Sequence, residues 1–232
     1  MENLIWITGC SSGIGYNISK LFAEKGFSIL ATSRNNQKLA LLKKDLPKNN
    51  VFIEKCDVTN YDEIKSIYKK YSQNFIFDGI INNAGVTSFK SFTHNNREEI
   101  DLIINTNLLG TIYLTNILIP HFISVKKGKI FNILSVAATK IFTNSSIYAA
   151  SKSGLLAFSN VVREEVREHN ISVTNILPGA TATPIWSKEN LDKFSERMMN
   201  PKDLAEMICN LYLNSSTAIP EEITVRPILG DL

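Results

Sequence analysis

The sequence predicts an α/β fold, a doubly wound parallel β-sheet with helices on both faces. Three observations carry that expectation. Short apolar or β-branched runs alternate along the chain with longer stretches of helical spacing. A glycine cluster sits where the first apolar run meets the first helical stretch. The 232 residues, 44% hydrophobic and 20% charged, suit one globular domain with a sizeable core.

The predicted strands are 4–7 (LIWI), 27–31 (FSILA), 51–55 (VFIEK), 77–81 (FDGII), 129–134 (KIFNIL), 172–177 (SVTNIL) and 222–226 (EITVR). In the first helical stretch Ile14, Ile18, Leu21 and Phe22 fall on one face, and Gly26 is a helix stop. Leu155, Phe158, Val162 and Val166 form a second such stripe. Strands separated by helices imply right-handed crossovers, hence a parallel sheet covered on both sides. No internal repeat or linker interrupts the pattern. Six residues follow the last predicted strand, so residues 1–232 are expected to form a single domain.

Composition narrows the function classes. Net charge is +3, and the basic residues are scattered. The one local run, Lys126, Lys127 and Lys129 around Gly128, reads as a turn exposed to water; no aromatic residues interleave with it, which argues against a nucleic-acid partner. Cys10, Cys56 and Cys209 form no CxxC pair, and no signal-peptide pattern is visible, so a cytoplasmic location is expected. His94, His121 and His169 lack metal-ligand spacing, so no metal site is expected. No apolar run approaches the length needed to cross a bilayer, so no membrane partner is expected.

The junction reads TGCSSGIG, residues 8–15, with glycines at 9, 13 and 15. A glycine-rich turn between a strand and a helix makes an anion site, because free N–H groups at the helix start point outward and the helix dipole favours negative charge. Gly9 permits a tight turn, Gly13 lets a pyrophosphate approach, and Gly15 lets the helix pack closely on the strand. The spacing is GxxxGxG, not the commoner GxGxxG, and a plain strand-to-helix turn is the competing reading. Cys10 inside this loop is either a reactive thiol near a helix start or a small residue that the turn tolerates.

Five motifs in order then make the chain similar to the short-chain dehydrogenase/reductase family over nearly its whole length. TGCSSGIG resembles that family's TGxxxGxG cofactor loop, and NNAG (82–85) its motif after the fourth strand. Asn107 in NTNLLG, Ser135 in ILSVAA, and Tyr148 with Lys152 in YAASK resemble its catalytic tetrad; PGATAT (178–183) resembles its segment after the sixth strand. The resemblance implies a Rossmann-type single domain that binds a nicotinamide dinucleotide. It implies cofactor contacts at Gly9, Ser11, Ser12, Gly13, Ile14, Gly15, Asn83, Ala84, Gly85, Pro178, Gly179, Thr181 and Thr183, and at Tyr148 and Lys152. It also implies Asp57 and Val58, in CDV, beside the adenine; read alone, Asp57 suits a helix N-cap equally well.

The residues themselves suit the implied chemistry. Tyr148 and Lys152 lie four apart in a helical stretch and share a face, and an ammonium beside a phenol favours the phenolate. A tyrosine that starts near ~10 is thereby expected to move toward the range of an acid–base catalyst. Taken alone, YxxxK also fits a core tyrosine with a solvated lysine. Ser135 ends an apolar strand at the edge where parallel sheets bind ligands. By resemblance, Tyr148 protonates the developing alkoxide, Ser135 positions the oxygen, Lys152 holds the nicotinamide ribose and Asn107 supports a proton-relay water. Asn107 read alone is a helix-interior polar residue or a cap.

Cofactor choice follows from charge. A carboxylate about 20 residues past the glycine loop would bind the ribose 2′-hydroxyl of NAD, whereas an arginine accommodates the phosphate of NADP. Here the second strand leads into ATSRNNQK, which has no carboxylate; Arg34 and Ser33 suit a phosphate, although Ser12 stands where many NADP-using relatives carry a basic residue. The expected cofactor is NADP(H). The expected function is reduction of a small ketone or aldehyde to an alcohol. The alternatives are a carrier-linked 3-oxoacyl reductase and, from another class, a non-catalytic NADP(H)-binding regulator. A short lid over about 184–200 offers Trp186, Phe194, Met198 and Met199, with Phe89, Phe92 and Phe142 as further aromatic walls; Lys188 and Lys193 suit either an acidic substrate or a solvated face. Relatives commonly form homodimers or homotetramers through the helices containing 108–125 and 147–169, where Val161, Val162 and Val166 face either a partner or the core.

Overall fold

The computed structural model describes residues 1–46, 50–214 and 218–232. Seven strands form one sheet in the order β3-β2-β1-β4-β5-β6-β7. They are β1 (Glu2–Thr8), β2 (Ile29–Ser33), β3 (Val51–Lys55), β4 (Phe75–Asn82), β5 (Gly128–Ile133), β6 (Ile171–Pro178) and β7 (Glu222–Val225). Every neighbouring pair is parallel. The chain runs outward from β1 through β2 and β3, then returns to β4 on the other side of β1. That reversal opens a crevice at the carboxyl ends of β1 and β4, the place where such sheets bind ligands.

Period-two alternation explains why the strands read as continuous apolar runs. In β1, Ile5 and Ile7 enter the core on one face with Ile18, Phe22 and Ile208, while Leu4 and Trp6 enter the core on the other with Leu114, Leu118 and Phe122. The helices that supply these faces are α1 (Gly13–Glu24), α2 (Asn36–Lys44), α3 (Tyr61–Tyr71), α4 (Arg97–Ile104), α5 (Gly110–Val125), α6 (Ser146–Val166), α7 (Lys188–Phe194) and α8 (Pro201–Leu213). Asparagines cap four of them, at 35, 60, 96 and 200; Asn96 completes a capping box with Glu99. Gly26, at φ +84, ends α1 as expected.

A row of amides crosses the sheet. Asn82, Asn132 and Asn175 sit in register on β4, β5 and β6. Asn82 Nδ2 donates to Asn132 Oδ1 at 2.8 Å, and Asn132 Nδ2 donates to Ser159 Oγ at 2.8 Å and to Asn175 Oδ1 at 3.2 Å.

Three readings are resolved here. Of the lysine run, Lys126 and Lys127 lie exposed in the turn after α5 as expected, Lys127 pairing with Asp78, whereas Lys129 lies in β5, its Nζ donating to the Tyr212 carbonyl at 2.6 Å. The helical path Arg97–Val125 contains an 18-residue window of mean hydropathy 1.6 and is long and apolar enough to cross a membrane by length and composition. Its Asn, Thr and His residues break up any unbroken apolar run, and its buried Leu114, Leu118 and Phe122 pack on the sheet. Of the α6 valines, Val162 and Val166 face the core, whereas Val161 is exposed.

Candidate active site

One cavity of about 840 Å³ opens at the carboxyl edge of the sheet. The glycine loop forms its floor. Gly9 (φ +70) and Gly13 (φ +60) hold left-handed backbone that disfavours a side chain. A Cβ on Gly9 would lie 2.8 Å from the Ala84 Cα, and one on Gly13 would lie 3.0 Å from the Thr183 Cβ. Gly15 does what its position predicts: a Cβ there would lie 2.5 Å from the Gly9 carbonyl, so only a bare backbone lets α1 approach the loop. Thr8 Oγ1 accepts from the N–H groups of Asn83 and Ala84, each at 3.0 Å, and so ties the loop to the segment after β4.

Ser11, Ser12, Ile14, Ser33, Arg34, Val58, Asn83, Ala84, Gly85, Ser135, Tyr148, Lys152, Pro178, Gly179, Thr181 and Thr183 all line this cavity beside Gly9 and Gly13. Three expected residues do not. Gly15 lies behind the loop. Asp57 turns its carboxylate onto the Thr59 N–H (3.0 Å) and hydroxyl (2.8 Å), and the cap of α3 is Asn60, so Asp57 is neither a cap nor a wall. Asn107 is fully buried in a single π-helical turn, Asn105–Leu109, between α4 and α5. Its Oδ1 accepts from the Val86 N–H at 2.8 Å, and its Nδ2 donates to the Val86 carbonyl at 2.9 Å and to Ser151 Oγ at 3.0 Å. Ser151 in turn donates to the Tyr148 carbonyl at 2.7 Å. The Asn107 side chain therefore fixes the wall and the start of α6, with both amide donors engaged.

Tyr148, Lys152 and Ser135 come together. Ser135 Oγ accepts from the Ala137 N–H at 3.1 Å, and its hydroxyl neighbours the Tyr148 phenol. Burial raises the Tyr148 phenol above its ordinary value, and the Ser135 hydroxyl restrains the rise. Lys152 Nζ donates to the Ile133 carbonyl at 2.7 Å, and burial lowers it from 10.5 to about 8. The phenol depression expected from the lysine is therefore not what the fold produces. Lys152 Nζ lies 5.8 Å from the Tyr148 ring centroid, and desolvation of the phenol dominates.

Above the tyrosine the rings of Phe89 and Trp186 stack at 4.6 Å, with the Tyr148 ring 6.0 Å from Phe89. Phe142 and Phe194 complete the aromatic lining. Phe92 is 61% exposed and Met198 is buried in packing, and neither they nor Met199 belong to the wall. Lys188 and Lys193 face water. Cys10 is fully buried, its Sγ donating to the Ile7 carbonyl at 3.0 Å, and burial pushes its thiol up to about 12, so the tolerated-residue reading holds. Thr106, whose buried hydroxyl has no protein partner, and Asp231 also line the cavity. Thr106 is signalled only by its neighbour Asn107, and Asp231 by no local pattern.

Comparison with known proteins fits this geometry. The family model described as short chain dehydrogenase matches residues 3–193. The chain belongs to the short-chain dehydrogenase family and is an oxidoreductase of that family. It is 31% identical over 223 residues to an uncharacterized oxidoreductase of Staphylococcus haemolyticus, covering 96% of each chain. It is 32% identical over 242 residues to a sepiapterin reductase of Chlorobaculum tepidum, covering 100% of this chain and 99% of the relative. Among solved structures, a metagenomic short-chain oxidoreductase in complex with NADP superimposes with a TM-score of 0.84 at 26% identity, covering 97% of this chain and 96% of that one.

Proposed function

We propose that the protein is an NADPH-dependent carbonyl reductase that converts small or medium apolar and aromatic ketones and aldehydes to alcohols. The observation that carries this reading is the buried Tyr148 and Lys152 with the partly exposed Ser135 in an aromatic-walled cavity. The donor set suits a phosphorylated dinucleotide: Arg34 and Ser33 line the cavity beyond the glycine cradle, and Asp231 is the one acidic side chain among its described lining residues. The relative crystallised with NADP supports the same cofactor. A nicotinamide dinucleotide, when bound, supplies the hydride.

The chain's own residues manage the proton. Tyr148 is protonated over the working range because burial holds its phenol up, so it donates a proton to the substrate oxygen as that oxygen becomes an alkoxide. Ser135 fixes the oxygen with its hydroxyl. Lys152, cationic at neutral pH, steadies the phenolate left behind. Asn107 acts through Ser151 on the start of α6, holding Tyr148 in place. Residues 184–200, seated by the Trp186 Nε1 bond to the Thr181 carbonyl (3.1 Å), serve as a short lid. Exposed Val161 supports a homo-oligomeric assembly through α5 and α6, testable by sedimentation.

The test is NADPH oxidation with isatin, benzil, sepiapterin, an aliphatic ketone, and matched free and carrier-linked 3-oxoacyl compounds. The reading expects turnover of free aromatic carbonyls. Turnover of carrier-linked compounds alone overturns it in favour of the 3-oxoacyl reductase, and NADPH binding with no turnover overturns it in favour of a regulator.

A further inference from the structure

Asp231 lies far from the tetrad in sequence yet forms part of the cavity wall. Its carboxylate is 18% exposed and takes two parallel bonds from Arg226, Nε to Oδ1 at 2.9 Å and Nη2 to Oδ2 at 2.6 Å. Lys140 Nζ, from the loop that follows Ser135, donates to Oδ2 at 3.1 Å. Arg197 Nη2, at the far end of the lid, donates to the Asp231 carbonyl at 3.2 Å. Arg226 leads the causes that hold the Asp231 carboxyl below the usual range, so the charge persists across the working pH.

The backbone is shaped to deliver that carboxylate. After β7 the Gly179 N–H donates to the Val225 carbonyl at 2.7 Å, and a Cβ on Gly179 would lie 2.9 Å from Pro227 Cδ, so a bare glycine lets the segment dock. The Gly230 N–H then donates to the Pro227 carbonyl at 2.8 Å, with Gly230 at φ +83, which turns the chain back toward Arg226. Isolated surface ion pairs contribute little, but a bidentate arginine pair shared with a second cation is the geometry in which such contacts count.

We propose that Asp231 is a positioning residue: its carboxylate pins the segment after β7 to the loop after Ser135, which holds its backbone carbonyl where Arg197 of the lid donates, and so sets how tightly a carbonyl substrate is held. The substrate half of this inference rests on the carbonyl-reductase reading; the structural half does not. The two are separable because the chain has two tryptophans. Trp6 is fully buried in the core, and Trp186 belongs to the lid. Acrylamide quenching of the full-length protein therefore reports the lid without any turnover.

Asp231→Ala is expected to raise the quenching constant at least about 1.5-fold, and to raise the KM for isatin about 5-fold, with kcat and NADPH affinity within about 2-fold. Asp231→Glu, which keeps the charge, is expected to recover most of both. If Asp231→Ala folds poorly, Lys140→Met, which leaves the arginine pair intact, is expected to show a smaller shift of the same sign. Unchanged quenching in a folded variant overturns the proposal. Raised quenching with an unmoved isatin KM overturns its substrate half. A wild-type enzyme that reduces no carbonyl sinks the carbonyl-reductase reading, while the quenching result still decides the latch.

Discussion

Replacing Lys152 by methionine should abolish turnover while changing the pH dependence of stability in a calculable way. Burial lowers Lys152 from 10.5 to about 8 in the fold. Between those values the unfolded chain holds the proton and the folded chain sheds it, so wild-type stability should rise with pH across that window. Below about 8 both states are protonated and the full cost applies. From the two pKa values, the buried lysine costs about 3 kcal/mol at pH 7 and about 2 kcal/mol at pH 9, with no discount for solvent because the side chain is buried. Methionine removes this cost but leaves the Ile133 carbonyl without its donor, a loss of about 1–3 kcal/mol. The two effects nearly offset at neutral pH, so the slope is the informative quantity. Urea unfolding of both proteins at several pH values should show wild type gaining about 1 kcal/mol on the variant between pH 7 and pH 9. A pH-independent difference would refute the argument, because it would mean that Lys152 keeps an ordinary pKa in the fold.

Other substitutions probe separate parts of the site. Tyr148→Phe should lower kcat by about 100-fold or more while NADPH affinity, read by fluorescence titration, stays nearly constant; retention of most of the activity would remove Tyr148 as the proton donor. Arg34→Asp should cut kcat/KM for NADPH at least about 10-fold more than for NADH, since it removes a phosphate partner and sets a like charge beside the phosphate; equal losses would show that Arg34 does not read it. Gly15→Ala should destabilise the protein by about 1–3 kcal/mol, because the new methyl meets the Gly9 carbonyl and an Asn83 amide already bonded to the loop; an unchanged melting temperature would contradict that packing.

All seven strands were legible because each carries its own apolar run, but their ends were not. β1 begins at Glu2 because Glu2 and Asn3 pair with Phe75 and Ile76, a long-range partnership with no local signature. β2 sits two residues later than its apolar run: Phe27 packs against Phe22 and Tyr212, while the polar Thr32 and Ser33 pair with β3. Within the site, the glycine loop and the Tyr148–Lys152 pair are short-range patterns and could be read directly. The π-helical turn that buries Asn107 has no comparable signal. Nor does the Asp231 cluster, which draws on residues 140, 197, 226 and 231 and exists only once the chain has folded.

The asparagine row across β4, β5 and β6 makes strand alignment an all-or-none matter. Leucine or valine side chains tolerate a shifted neighbour, because apolar contact has no direction. Amides do not. Sliding β5 by one residue would set Phe131 or Ile133 opposite Asn82 and turn Asn132 to the other face of the sheet. Sliding it by two would keep the face but break the Asn82–Asn132 and Asn132–Asn175 bonds and carry Asn132 away from Ser159, each buried amide group left unpaired costing about 1–3 kcal/mol, while Asn175 keeps Ser159 and Asn160. A misaligned sheet would therefore stay several kcal/mol above the native one even with its apolar area fully buried. The same alignment brings the Ile133 carbonyl to Lys152, so the proofreading of three strands and the placement of the lysine are one event.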